Sequence, residues 1–292
     1  MVPIDEESVP GGVLHGDTAR DIARLTDPGL TAVIVTRSER PDWLDELAEL
    51  VVSRRLVIAR TTLAAVSRDE FADWSRTALA DTDRAVARPL LEDMTGIVEQ
   101  VTATADVRRV MVRVFTEAPT RRCGFHVDTV PPQAPTTGAV RVYNGPTTEY
   151  VAGDDVRSMK DFYAYLSHRE RVSREAGTGT CGDEPAPAAL GPLIAMDETP
   201  SFLRPHAPVH RVPPDATVYF KHIDVRRHWS PHPVTDAWIH RSPMQGPPRL
   251  VLNVSPAERA PAGPGSTWLR EGREGSRERS SLSTRAPARA GP

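Results

Sequence analysis

Cysteine is nearly missing: Cys123 and Cys181 are the only two in 292 residues. That excludes the disulfide framework of a small secreted scaffold, and no Cys-x-x-Cys pair exists for zinc or redox work. Lysine is equally scarce, with Lys160 and Lys221 alone, so almost every cation is an arginine and a single arginine carries little information. Aromatic residues make up only 5% of the chain. No window reaches the roughly 18 consecutive apolar residues of a membrane span. The N-terminus, MVPIDEESVPGG, has neither the basic region nor the apolar stretch of a signal peptide. Neither sign of charge dominates, since Lys+Arg 36 against Asp+Glu 39 leaves a net charge of -3. No global field therefore favours nucleic acid or an anionic membrane. The expectation is a cytoplasmic protein with neither as partner. Also missing are a Gly-x-Ser-x-Gly elbow, a Walker loop and a His-Glu-x-x-His helix, so hydrolase and nucleotide readings lose support. The run Gly177 to Gly182 fits G-x-G-x-x-G by letter, but no strand precedes it and prolines follow.

What is present changes character near Asp106. Before it, apolar residues recur at helical spacing over 43–52, 68–79 and 82–103, with a short apolar run at 31–35. Asp81 is the candidate cap of the third helix, which Pro89 should kink or restart. After it come short segments rich in Val, Tyr and Phe, at 107–115, 124–130, 139–143, 217–221, 237–241 and 249–254, separated by Pro and Gly clusters. Such strands suggest an α+β chain whose core is a double-stranded β-helix of the jelly-roll or cupin kind, carrying an N-terminal helical layer. The expected division is a helical region at 1–105, a jelly-roll domain at 106–256 interrupted by an insertion at 154–213, and a disordered tail at 257–292. Within the insertion, 154–174 has helical periodicity and 177–213 reads mostly as loop.

The chemistry concentrates in Arg122-Cys-Gly-Phe-His126-Val-Asp128-Thr-Val130. Residues two apart on a strand face the same way, so His126 and Asp128 place an imidazole and a carboxylate side by side. That is two-thirds of a 2-His-1-carboxylate facial triad, the arrangement of non-haem Fe(II) oxygenases, in which one side holds the metal and the other stays open. A second His-x-Asp, His222-Ile-Asp224, has too little chain after it for a distal partner and is expected outside the site. His240, more than a hundred positions after His126, lies on a late strand, and Arg249 opens the last one. Arginine's planar fork grips a carboxylate through two hydrogen bonds.

His126-x-Asp128, His240 and Arg249 at strand ends together resemble the Fe(II)/2-oxoglutarate-dependent oxygenase superfamily. The resemblance implies that the three ligands hold iron, that Arg249 binds the distal carboxylate of 2-oxoglutarate, and that O₂ and a small-molecule substrate meet at the metal. The blocks CGFHVDTV, YNGPTTEYV and His240-Arg-Ser-Pro243 followed by Arg249-Leu-Val-Leu-Asn253 are similar to the uncharacterised bacterial family called domain of unknown function 1826. That family implies no reaction.

Other residues keep two readings. Tyr143 and Asn144 could hydrogen-bond the bound co-substrate or simply end a strand in an Asn-Gly turn. Glu149 could touch substrate or sit at a polar rim, and Cys123 could be a soft ligand favouring zinc. A jelly-roll that holds zinc in the same His/Asp/His site without catalysis is the alternative to the oxygenase. His228 and His232 are four apart, but Pro231 and Pro233 exclude the helix that would align them.

Overall fold

The computed structural model describes residues 12–119, 124–175, 187–226 and 237–257. Cys123, Cys181, the 177–182 glycine run, His228, His232 and the tail from 258 lie outside them.

The chain is α+β, built on a seven-stranded sheet ordered β1-β2-β9-β6-β12-β4-β3. Its strands are β1 (Val13–Gly16), β2 (Ala32–Val35), β3 (Thr61–Val66), β4 (Val110–Glu117), β6 (Thr137–Val142), β9 (Thr217–Lys221) and β12 (Arg249–Pro256). All neighbours are antiparallel except β1 and β2. A three-stranded sheet is ordered β11 (His240–Arg241), β7 (Glu149–Tyr150), β8 (His210–Arg211), and β5 (Thr129–Val130) pairs in parallel with β10 (Ile223–Asp224).

Alternation along β12 shows how the layers divide. Leu250, Leu252 and Val254 point into a cluster with Leu44, Leu47, Phe71, Leu90, Met94 and Val98, while Val251 points the opposite way into a cluster with Val140, Val142, Phe220, Tyr150 and Trp238. The first face is covered by α2 (Trp43–Val52), α3 (Arg68–Ala78) and α4 (Arg84–Ala105). Each helix presents the apolar stripe expected of it, as with Leu44, Leu47 and Val51 on α2. Each fully buried leucine contributes roughly 1.5–3 kcal/mol. α3 begins with a capping box, Ser67 N–H donating to Glu70 (2.7 Å) and Glu70 N–H to the Ser67 hydroxyl (3.3 Å). Asp83, rather than Asp81, caps α4 by accepting from the Ala85 amide, and Pro89 lies inside the continuous helix.

Two further expectations need correcting. The first hundred residues are not a purely helical layer, because β1, β2 and β3 supply three of the seven strands of the large sheet. β1 is four residues long, and β3 is an edge strand with a register shift between Leu63 and Val66, so neither imposes a clear two-residue period. The stretch 177–213 holds a helix, α6 (Pro187–Glu198), which packs against α5 (Met159–Glu175). Its sequence, PAALGPLIAMDE, is apolar on most sides and contains Pro192, which hides helical periodicity. α5, α6 and residues 125, 127 and 239 share a third cluster around Phe162, Tyr165 and Phe202. No helix among the described residues is long and apolar enough to cross a membrane.

Candidate metal centre

Residues 124–130 form less strand than their composition suggests: β5 covers two residues, and His126 makes an isolated bridge to His240. That bridge is reciprocal. His126 N–H donates to the His240 carbonyl (2.9 Å) and His240 N–H to the His126 carbonyl (3.0 Å), placing the two side chains opposite each other. Phe125, Val127 and Ile239 turn into the third cluster, so His126, Asp128 and His240 turn the other way.

One ligand atom from each of His126, Asp128 and His240 lies within 4.8 Å of the others. His126 Nε2 is 3.7 Å from Asp128 Oδ1, and His240 Nε2 is 3.8 Å from Asp128 Oδ2. The other ring nitrogens are engaged, His126 Nδ1 with the Gly124 carbonyl (2.9 Å) and His240 Nδ1 with the Trp238 carbonyl (3.0 Å). A carbonyl only accepts, so each Nδ1 carries the proton and each Nε2 turns its lone pair toward the carboxylate. The His240 ring stacks on Trp238 at 4.3 Å and faces Phe220 at 5.4 Å. Burial, reinforced by His126 and opposed by Asp128, pushes His240 down to about 4, leaving it neutral at physiological pH. For Asp128, burial acts to raise the carboxyl, but His240 and His126 outweigh it and hold it at about 2. Two imidazoles with Nδ1 engaged on carbonyls and an ionised carboxylate make the kind of donor set that suits a divalent transition metal.

Arg249 shares a face of β12 with Val251, on the side away from the helices. It is 3% exposed. Nη1 donates to the Pro146 carbonyl (3.0 Å) and Nη2 to the Ser242 hydroxyl (2.7 Å), while Nε finds no partner among the described residues. Burial, helped by Arg60 and opposed by Glu149, pushes it down to about 10, so it stays cationic at neutral pH. Among the described residues no carboxylate pairs with it. Ser242 is two residues past His240, roughly 7 Å in extended backbone.

The other named residues are placed differently. Tyr143 belongs to the helix-side cluster, 6.4 Å from the Trp43 ring, and its hydroxyl has no partner among the described residues. Asn144 is consumed by backbone: Nδ2 donates to the Pro248 carbonyl (3.0 Å) and Oδ1 accepts from Leu250 N–H (2.8 Å), which pins the strand start that carries Arg249. Glu149 is buried between Arg241 (2.8 Å) and Arg211 (2.9 Å). His222 lies outside the His/Asp/His cluster, one nitrogen on the Thr136 carbonyl and the other on the Ser255 hydroxyl, and Asp224 pairs with Arg226.

Sequence reasoning missed two buried ionic groups. Arg141, on the helix side of β6, meets Asp93 of α4 at 3.2 Å, and Arg37 also reaches Asp93. Asp197 of α6 meets Arg169 of α5 at 3.0 Å. Alternation could have flagged Arg141, which sits between the inward-facing Ala139 and Tyr143. Nothing local marks Asp197, whose helix was itself hidden.

No curated protein matches the chain in sequence. Solved structures similar to it include AviO1 from Streptomyces viridochromogenes Tue57, at 16% identity, with 85% of this chain and 97% of that one covered and a TM-score of 0.36. The rice dioxygenase for auxin oxidation matches at 12% identity over 83% of this chain and 81% of its own, with a TM-score of 0.37. The Kdo hydroxylase KdoO, a non-heme Fe(II) alphaketoglutarate-dependent dioxygenase in complex with alphaketoglutarate and Fe(III), matches at 14% identity over 84% and 89%, with a TM-score of 0.37. The family model described as protein of unknown function, DUF1826, matches residues 16–180, more than half of the sequence, and the chain belongs to that family.

Proposed function

We propose that the protein is a non-haem Fe(II)/2-oxoglutarate-dependent oxygenase that hydroxylates or otherwise oxidises a small molecule with O₂. The observation carrying this reading is a pairing: three metal-ligand atoms within 4.8 Å of one another, and a buried guanidinium without a counter-charge among the described residues. His126, Asp128 and His240 would hold the metal. Bound iron, with 2-oxoglutarate and O₂, supplies the oxidising power.

The chain's own groups then do the holding and orienting. Both Nδ1 protons are fixed on carbonyls, so neither ring can turn its lone pair away from the site. A buried cation is costly until an anion meets it. Arg249 is hydrogen-bonded to Ser242, which lies roughly 7 Å along the chain from His240, and it suits the far carboxylate of a short dicarboxylate whose other end is at the metal. Asn144 serves indirectly, by fixing the backbone on both sides of Arg249.

In this reading the core is a jelly-roll, with the seven-stranded sheet as one wall and β11-β7-β8 as the other. Residues 106–256 carry the site, and the preceding region buttresses it. A zinc protein without catalysis would use the same three ligands, but it has no use for a buried guanidinium that no carboxylate pairs with among the described residues, and this favours the oxygenase.

The test is titration of the Fe(II)-loaded protein with 2-oxoglutarate under anaerobic conditions, followed by visible charge-transfer absorbance. A saturable band is expected. Tight Zn(II) binding with no 2-oxoglutarate-dependent band in the Fe(II) form moves the assignment to the zinc protein.

A further inference from the structure

We propose that Tyr165, Arg169 and Asp197, all in the α5–α6 insertion, are positioning residues that brace the two backbone segments carrying His126 and His240. The inference rests on the reading of those histidines as metal ligands. Tyr165 and Arg169 lie four apart on α5 and so share a face. Both converge on Asp197: the Tyr165 hydroxyl donates to Oδ1 (2.6 Å), Arg169 Nε to Oδ1 (3.1 Å) and Arg169 Nη2 to Oδ2 (3.0 Å). Asp197 is 2% and Arg169 6% exposed.

Two bonds run from this cluster to the candidate metal centre. The Tyr165 hydroxyl accepts from Phe125 N–H (3.1 Å), the residue before His126. The backbone carbonyl of Asp197, at the end of α6, accepts from Arg241 Nη1, and Arg241 follows His240. The negative end of the α6 dipole suits that guanidinium. Arg241 is held further by Glu149 at 2.8 Å and lies over the Phe125 ring at 4.3 Å, so it ties one histidine segment to the other. Thus both histidine-bearing segments, distant in sequence, are bolted to one carboxylate residue.

Gly124 explains why the sequence before His126 must be small. A Cβ there would stand 2.6 Å from Asp197 Oδ1, and closer still to Tyr165 Oη and Arg169 Nε. The same glycine's carbonyl fixes His126 Nδ1. The insertion therefore packs against the backbone that orients the ligand, at a distance only glycine allows.

The experiment compares full-length Tyr165→Phe, Asp197→Asn and Gly124→Ala with the parent and with Leu193→Ala. Leu193 is buried on α6 with 0% exposure, and its side chain has no part in the polar network. Co(II) affinity is read by absorbance, and exchange of the His126 and His240 amides by NMR in the metal-free protein. Expected are roughly 10- to 100-fold weaker Co(II) binding in the three network variants and faster exchange at both amides. Leu193→Ala should lower the melting temperature yet leave Co(II) affinity and both amides near parental values. Parental amide exchange in Tyr165→Phe and Asp197→Asn overturns the bracing role, as does equal weakening of Co(II) in Leu193→Ala. A parent that binds no Co(II) overturns the metal reading instead, and the amide exchange still decides the bracing.

Discussion

The two faces of the large sheet are made from the same strands and do opposite work. Toward the helices, β12 presents Leu250, Leu252 and Val254, which join side chains of α2, α3 and α4 in a large apolar cluster. Away from them it presents Arg249 and Val251, and beyond that face lie the imidazoles, the Asp128 carboxylate and the Arg241–Glu149–Arg211 ion pairs. Among the described residues the helix face admits one buried ionic group, Asp93 with Arg141 and Arg37, tying α4 to β6. Strand parity thus separates the apolar packing from the candidate site. One residue's shift along β12 would exchange them.

If the faces are independent, damage to one should spare the other. The largest effect is expected from Leu252→Ala, which opens a cavity on the helix face at a cost of about 2–5 kcal/mol. Urea denaturation measures the loss, and Co(II) affinity at low urea should match that of the parent. A parallel fall in affinity would break the separation.

Acid should strike the other face. His240 is held at about 4 against an ordinary 6.5, so the unfolded chain takes up its proton first and stability falls as pH drops from about 6.5 to 4. At about 1.4 kcal/mol per unit, the loss approaches roughly 3 kcal/mol. Burial lowers His222 as well, adding in the same direction. Asp128, held at about 2 and ordinarily 3.8, contributes stability that is lost only at more acid pH. Denaturation of metal-free protein at about pH 7 and about pH 4.5 checks this, and His240→Asn should flatten the difference.

Arg249→Ala should weaken 2-oxoglutarate binding by roughly thirtyfold, about 2 kcal/mol, and leave Co(II) affinity unchanged, with Arg249→Lys restoring only part. Anaerobic titration reads both. The smallest effect belongs to Tyr143→Phe. Its buried hydroxyl has no partner among the described residues, so removal should change stability by less than about 1 kcal/mol and leave 2-oxoglutarate affinity intact. A fall in that affinity would place Tyr143 on the wrong face.

Much of the candidate site was legible because strand alternation is a strict rule: His126 and Asp128, two apart, had to share a side wherever the chain ran extended. His240 and Arg249 followed from their places on late strands. Tyr143 kept two readings because adjacency to a strand end says nothing of parity; counting from Val140 and Val142, which face away from the helices, turns it inward toward α2. The bracing cluster was hidden for another reason. Its carboxylate sits on a helix interrupted by Pro192, and its partners are united only by tertiary packing. Among the helices, α2, α3 and α4 were readable through their apolar stripes, whereas β1 and β3 were too short or too irregular to compete with the helical pattern around them.

The reciprocal bridge between His126 and His240 also sets an order of events in folding. Its two halves are separated by most of the candidate metal-binding region, and β4 must wait for β12 in the same way. Closing such long loops precedes any reward in contacts, so these pairings form slowly, and on the ribosome they cannot form until the last strands have emerged. The helices of the first hundred residues can form early from local contacts, but the candidate ligand set exists only once the chain has been made past His240. A nascent or truncated chain ending before His240 would own only two of the three candidate ligands.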